Sequence, residues 1–192
     1  MKKILIGTHN KGKFKEISSL ISNKFKKINP TTLKIPSPKE TGKTFTANSK
    51  LKVNFFSKYV DYAVISDDSG LCIKSLNQGP GVYSARLAKK YGSFNKAMKY
   101  LLKKMQNKKN RSATFICSLS LKLHKKAIIN VTGKVQGKIS YKALGKKGFG
   151  YDPIFIPNGH KKTFGQMFHY KKVKLDHRFE AFKKLKKKIK IL

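Results

Sequence analysis

Lys3-Ile4-Leu5-Ile6-Gly7-Thr8-His9-Asn10-Lys11-Gly12-Lys13-Phe14 decides the class of fold. The apolar run reads as a buried strand over residues 3–8. Phe14, Ile17, Leu20 and Ile21 fall on one face of a helix over 11–22. A buried strand passing through a short polar turn into a helix opens an α/β layer. Backbone N–H groups at such a helix start, together with the helix dipole, favour an anion. Lys13 would neutralise a phosphate there, and Thr8 and Asn10 offer polar side chains to its oxygens. An ordinary strand-to-helix turn has the same pattern. The spacing of Gly7, Gly12 and Lys13 is that of a Walker A loop, but Phe14 stands where a Ser or Thr would hold magnesium. Any metal must then be held elsewhere, which disfavours a standard P-loop nucleotidase.

Further along, Thr44 is a candidate N-cap for a helix over 44–58 with Phe45, Leu51 and Phe55 facing inward. Strands are expected over 62–66 and 71–76, and a turn at Gln78-Gly79-Pro80-Gly81. A helix follows over 93–105. Residues 113–123 alternate cleanly, and 127–136 pair back as a hairpin. The Gly/Lys loop over 145–150 enters a strand over 153–156, and a last helix from Arg178 buries Phe179, Phe182, Leu185 and Ile189. The order gives one mixed α/β domain over residues 1–192.

Composition narrows the function classes. Thirty-nine per cent hydrophobic residues and thirteen Phe argue for a folded chain and against a basic disordered tail. Forty-five Lys and Arg against eight Asp and Glu leave a net charge of +37. Such charge attracts nucleic acid by counterion release. Compositional drift gives the same number, and the scarcity of Arg, whose planar fork reads phosphate and bases bidentately, favours drift. Cys72 and Cys117 sit in no metal-binding spacing, which suits a reducing compartment. The apolar run near the start is too short for a signal peptide, and no segment is long enough to span a bilayer. A cytoplasmic protein is expected.

The acids are the informative minority. Asp67 and Asp68 are adjacent, and like charges so placed raise one another's pKa, a cost offset by a metal or a catalytic duty. Ser69 offers a hydroxyl to phosphate. A turn capping the end of a strand is the plainer account. In Gly148-Phe149-Gly150-Tyr151-Asp152-Pro153 a flat base can stack on Phe149 or Tyr151, and Asp152 can accept from ring N–H groups; a turn feeding a strand is the alternative. Lys172, His177 and Arg178 cluster donors for an exocyclic oxygen or phosphate, or simply start a helix capped by Asp176. Glu16, Asp61 and Glu180 read as ordinary surface or helix-end charges.

Taken in order, six segments resemble the inosine triphosphate pyrophosphatase family, which hydrolyses non-canonical purine nucleoside triphosphates. They are Thr8–Lys13, Glu40-Thr41-Gly42-Lys43-Thr44-Phe45, Ser66-Asp67-Asp68-Ser69-Gly70-Leu71, Gly79-Pro80-Gly81-Val82-Tyr83-Ser84-Ala85-Arg86, Gly148-Phe149-Gly150-Tyr151-Asp152-Pro153-Ile154-Phe155 and His177-Arg178. The resemblance implies an elongated mixed β-sheet with flanking helices, two lobes around a central nucleotide-binding cleft, and a homodimer. It implies conversion of ITP, dITP and XTP to the monophosphate and pyrophosphate with Mg2+. By position, Thr8, His9, Asn10, Lys11, Gly12 and Lys13 would wrap the phosphates, with Lys52 adding charge. Glu40 and Asp68 would hold the metal, Asp68 would activate water, and Ser69 would touch substrate. Phe149, Gly150, Tyr151 and Asp152 would hold the base, while Lys172, His177 and Arg178 would recognise its 6-oxo group. The chain departs from that pattern at His9, which crowds the phosphate turn, and at Ala47, Gln166, Lys171 and Asp176.

Overall fold

Alternation in the first strand sets the layering. The structure, a computed structural model, describes residues 2–189. Strand β1 (Lys2–Ile6) pairs in parallel with β2 (Phe25–Ile28) and with β3 (Ala63–Ile73). With β4 (Gly79–Pro80), β5 (Ser112–Lys122), β6 (Ile128–Ile139) and β7 (Phe155–Pro157), they form a mixed sheet. Its order is β2-β1-β3-β5-β6-β7, with β4 beside β3. The helices are α1 (Lys11–Leu20), α2 (Phe45–Phe56), α3 (Ser84–Lys90), α4 (Phe94–Lys104), α5 (His169–Lys172) and α6 (His177–Lys188).

The chain divides into two compact units. The first comprises Met1–Asp68, Cys117–Gly133 and Arg178–Leu192. Successive strand residues point to opposite faces, and here each face is apolar. Ile4, Ile6, Ile65, Cys117, Leu119 and Leu121 pack with Ile17 and Ile21 from the α1 segment and with Ala181, Phe182 and Leu185 of α6. Leu5 and Val64 pack with Ile35 and with Val53 and Phe56 of α2. Asn10 caps α1 by accepting the Lys13 N–H, and Thr44 caps α2 by accepting the Ala47 N–H. The second unit comprises Ser69–Ile116 and Lys134–His177. Its core joins Leu71, Ile73, Phe115, Ile139 and Phe155 to Ala88 of α3, to Ala97, Met98 and Leu101 of α4, and to Phe164.

Several expectations change. The strands expected over 62–66 and 71–76 are one strand, β3, so Asp67-Asp68-Ser69-Gly70 lies inside it rather than at its end. A ladder is made by backbone groups, so polar side chains do not interrupt it where partners cover them. In α2 the buried residues are Asn48, Ser49, Lys52, Val53 and Phe56, whereas Phe45, Leu51 and Phe55 are half-buried. Phe179 is also half-buried. In β5 the alternation extends only so far, because Ser118 and Ser120 on the other face are buried too. The strand expected over 153–156 begins as a 3-10 turn, Asp152–Ile154. Strand β2 and helix α3 carry too little periodic pattern to be read from sequence.

Gly7 follows β1 where a Cβ would overlap the Ser66 hydroxyl and the Phe56 ring. Gly7→Ala is expected to destabilise the chain by about 1–3 kcal/mol through forced repacking, measured by urea unfolding.

Candidate active site

Asp67 and Asp68 are adjacent in sequence but not in environment. Both belong to the first unit, and as neighbours on β3 they project to opposite faces. Asp67 Oδ2 lies 3.3 Å from Lys13 Nζ of α1 and 3.3 Å from Arg178 Nε of α6. Asp68 Oδ2 accepts a 2.9 Å hydrogen bond from the Asn48 amide of α2, and its Oδ1 lies 3.9 Å from Lys52 Nζ. The cations are shared as well as local: Lys13 pairs with Asp67 and also acts to lower the pKa of Asp68, and Asp67 and Asp68 both act on Lys52, so lysines offset the charge of the adjacent carboxylates. Burial is the main cause that raises the Asp68 carboxyl above its ordinary range. Lys52 and Lys13 pull it back, and Glu40 adds to the rise.

Lys52 links the α2 side of this site. Its ammonium donates to Glu40 Oε1 at 2.7 Å. Burial opposes the charge on Lys52, but Asp67, Asp68 and Glu40 outweigh it and hold the pKa above its ordinary value. Burial likewise acts to raise Glu40, yet Lys52 and then Lys13 bring it below the ordinary carboxylate range. Asn48 completes the arrangement: its Oδ1 accepts the Gly42 N–H at 2.7 Å while its amide holds Asp68. The sequence did hold a signal for Asn48, a polar residue four positions before Lys52 on the inner face of a helix.

The turn after β1 is built mostly by its own side chains. Thr8 Oγ1 accepts the Asn10 N–H at 3.2 Å, and Asn10 Oδ1 accepts the Lys13 N–H at 3.0 Å. The His9 ring nitrogen bonds the Ile35 carbonyl at 2.9 Å. Lys11 is exposed and Gly12 half-buried at the helix start.

Arg178 is buried in the first unit, where its Nη1 donates to Glu16 Oε2 at 2.8 Å. Glu16 is only 2% exposed, so it is no surface charge. Its place three residues after Lys13 puts it on the same helix face, the one sequence signal for it.

In the second unit, Asp152 Oδ2 accepts from the Phe149 N–H at 2.8 Å and from Lys172 Nζ at 2.7 Å. Lys172 Nζ also lies 4.9 Å from the centroid of the Phe149 ring and 4.0 Å from Asp176 Oδ2. Gly148 and Gly150 adopt φ of 74° and 65°, which lets the turn wrap the Asp152 carboxylate. Phe149 and Gly150 are half-buried. The Tyr151 ring packs edge-on to Phe94 and its hydroxyl donates to the Ser84 carbonyl at 2.8 Å. His177 is buried with its ring flat on Phe115, centroids 4.8 Å apart. Ser69 is half-buried. Of the departures, Gln166 accepts the Thr163 N–H in a capping box, Ala47 and Lys171 are exposed, and Asp176 is buried beside Lys172.

Among the described residues no group of three or more His, Cys, Asp or Glu is placed to hold a metal by itself. A magnesium ion carried by phosphates needs only one or two protein carboxylates, the rest of its shell being phosphate oxygen and water. Glu40 and Asp68, hard oxygen donors on a common lysine, meet that requirement.

The mixed α/β fold with these carboxylate–lysine clusters has close likenesses among solved proteins. It is similar to the Ham1 protein of Staphylococcus aureus, with TM-score 0.86, 33% identity and 98% of each chain covered. It is similar also to a HAM1 protein of Coxiella burnetii, with TM-score 0.88, 31% identity and 99% of each covered. The Ham1 family pattern matches residues 4–188, and the chain belongs to that family. In sequence it is 40% identical to the dITP/XTP pyrophosphatase of Oceanobacillus iheyensis, covering 97% of this chain and 98% of the relative. It is 35% identical to the dITP/XTP pyrophosphatase of Zymomonas mobilis, covering 95% and 90%.

Two substitutions probe the clusters. Arg178→Ala leaves Glu16 and Asp67 buried without their guanidinium and is expected to cost about 3–5 kcal/mol of stability in denaturant unfolding. Lys52→Met should cost a similar ~3 kcal/mol at neutral pH. Glu40, whose pKa is depressed, contributes stability above its unfolded pKa that is lost as pH falls through its folded pKa. The gap between wild type and Lys52→Met should therefore narrow on acidification, read from unfolding curves at a series of pH values.

Proposed function

We propose that the protein hydrolyses non-canonical purine nucleoside triphosphates, ITP, dITP and XTP, to the monophosphate and pyrophosphate. The observation that carries this reading is the Glu40–Lys52–Asp68–Asn48 cluster, in a chain whose relatives are named dITP/XTP pyrophosphatases. Asp68 takes the proton of the attacking water, whose oxygen adds to the α-phosphorus while the bond to pyrophosphate breaks. Lys13 and Lys52 neutralise phosphate charge, with Thr8, Asn10 and the start of α1 around it. Glu40 and Asp68 would hold Mg2+, which when bound would supply electrostatic stabilisation to the phosphate oxygens.

At the base end, the Phe149-Gly150 turn takes the ring, and Lys172, held by Asp152, donates to the 6-oxo group. Arg178 acts at one remove, by fixing Asp67 and Glu16. Adenine presents a donor where hypoxanthine presents an acceptor, leaving a buried donor unpaired at about 1–3 kcal/mol. A homodimer, a cytoplasmic location and a salt-sensitive, non-specific attraction to nucleic acid complete the proposal.

Pyrophosphate release from ITP, XTP, dITP, GTP, ATP and UTP, with and without magnesium, tests it. ITP should exceed ATP by roughly tenfold or more, and Asp68→Asn should abolish turnover while remaining folded. Comparable rates on ATP and ITP, or an active Asp68→Asn protein, would overturn it.

A further inference from the structure

The first two turns of α2 carry Asn48 and Lys52, yet apolar packing does little to hold them. The fully buried apolar residues of the helix, Val53 and Phe56, lie in its second half, and Phe45 and Leu51 are half-buried. Ahead of them the helix meets a layer of hydroxyls. Ser49 Oγ lies 3.1 Å from Ser118 Oγ and 2.9 Å from Ser120 Oγ, both on β5, and Thr46 Oγ1 lies 3.2 Å from Ser118 Oγ. Ser49, Ser118 and Ser120 are all fully buried. From β6 the Asn130 amide nitrogen reaches into their midst, 2.8 Å from Ser120 Oγ, 3.0 Å from Ser118 Oγ and 3.2 Å from Ser49 Oγ. All of these residues belong to the first unit.

Apolar contact is non-directional and tolerates a helix turning or sliding by a fraction of a turn. Hydrogen bonds weaken steeply with angle and do not. The amide nitrogen also lies 3.3 Å from the Leu119 carbonyl, so its two hydrogens face four acceptors and the hydroxyls complete the layer among themselves, which ties its members into one unit. Ser49 directly follows Asn48 and stands one turn before Lys52. Whatever fixes Ser49 therefore also fixes the two side chains that reach Asp68.

We infer that Asn130, acting through Ser118, Ser120 and Ser49, is a positioning residue: it sets the rotation of α2 that aims Asn48 and Lys52 at Asp68 and Glu40. Asn130 touches no substrate. The inference rests on the hydrolytic reading above, in which that cluster does the chemistry. It goes beyond that reading by placing a determinant of the rate on β6.

A layer that only added stability would move the melting temperature and leave turnover per folded molecule alone. The test therefore compares Asn130→Ala with Val53→Ala, a change in the same helix that creates a cavity without touching the hydroxyls. Asn130→Ala should lose about tenfold or more in kcat for ITP with KM within about threefold, since small misplacements of catalytic groups fall on the chemical step. Val53→Ala should keep kcat within about twofold despite an equal or larger fall in melting temperature. Unchanged kcat in Asn130→Ala, or the same fall in Val53→Ala, would overturn the inference. If the wild-type protein releases pyrophosphate from no nucleotide, the hydrolytic reading fails instead. Positioning is then read from the 1H–15N NMR signal of the Lys52 ammonium. That signal should persist in Val53→Ala and shift or vanish in Asn130→Ala; an unchanged signal in Asn130→Ala would sink the positioning role as well.

Discussion

A β-strand sends neighbouring side chains to opposite faces, and on β3 that rule separates two carboxylates that the sequence sets side by side. Asp67 meets Lys13 and Arg178 from α1 and α6, and Asp68 meets Asn48 and Lys52 from α2. The three helices are thus tied to one strand by charge as well as by packing. Burying any one of these ions alone would cost several kcal/mol. The first unit can keep them only as a complete set, which makes the arrangement exacting.

That constraint explains which parts of the molecule were legible in sequence. Elements with an apolar period were read well: β1, α1, α4 and the hairpin of β5 and β6 all lie close to where the pattern puts them. The misreadings occur where a polar residue is buried. Asp67-Asp68-Ser69-Gly70 looked like the end of a strand because hydrophobic periodicity stops there, although the ladder does not. In α2 the apolar stripe of Phe45, Leu51 and Phe55 is half-buried, and the inner face carries the polar Asn48, Ser49 and Lys52. Glu16 was set aside as surface because its partner, Arg178, is 162 positions away in the chain. No local pattern reports a contact of that kind.

The same reasoning changes the meaning of the candidate residues. Glu40, Lys52 and Asp68 come together, and so do Asp152, Lys172 and Phe149. Tyr151, His177 and Arg178, expected from their motifs to face a ligand, have packing and ion-pair contacts as well. A motif marks a place in the fold where several demands coincide, and the structure is needed to apportion them.

Most of the chain's few carboxylates point inward. Glu16, Asp67, Asp68, Asp152 and Asp176 are buried, which leaves Asp61 exposed and Glu40 and Glu180 half-buried as the anionic groups set against the surface lysines. The exterior is therefore close to a field of a single sign. A field of one sign raises the encounter rate of small anions, and that rate falls as ionic strength shortens the reach of the field. Salt in the surrounding fluid thus governs how often small anions arrive, apart from what the interior does with them.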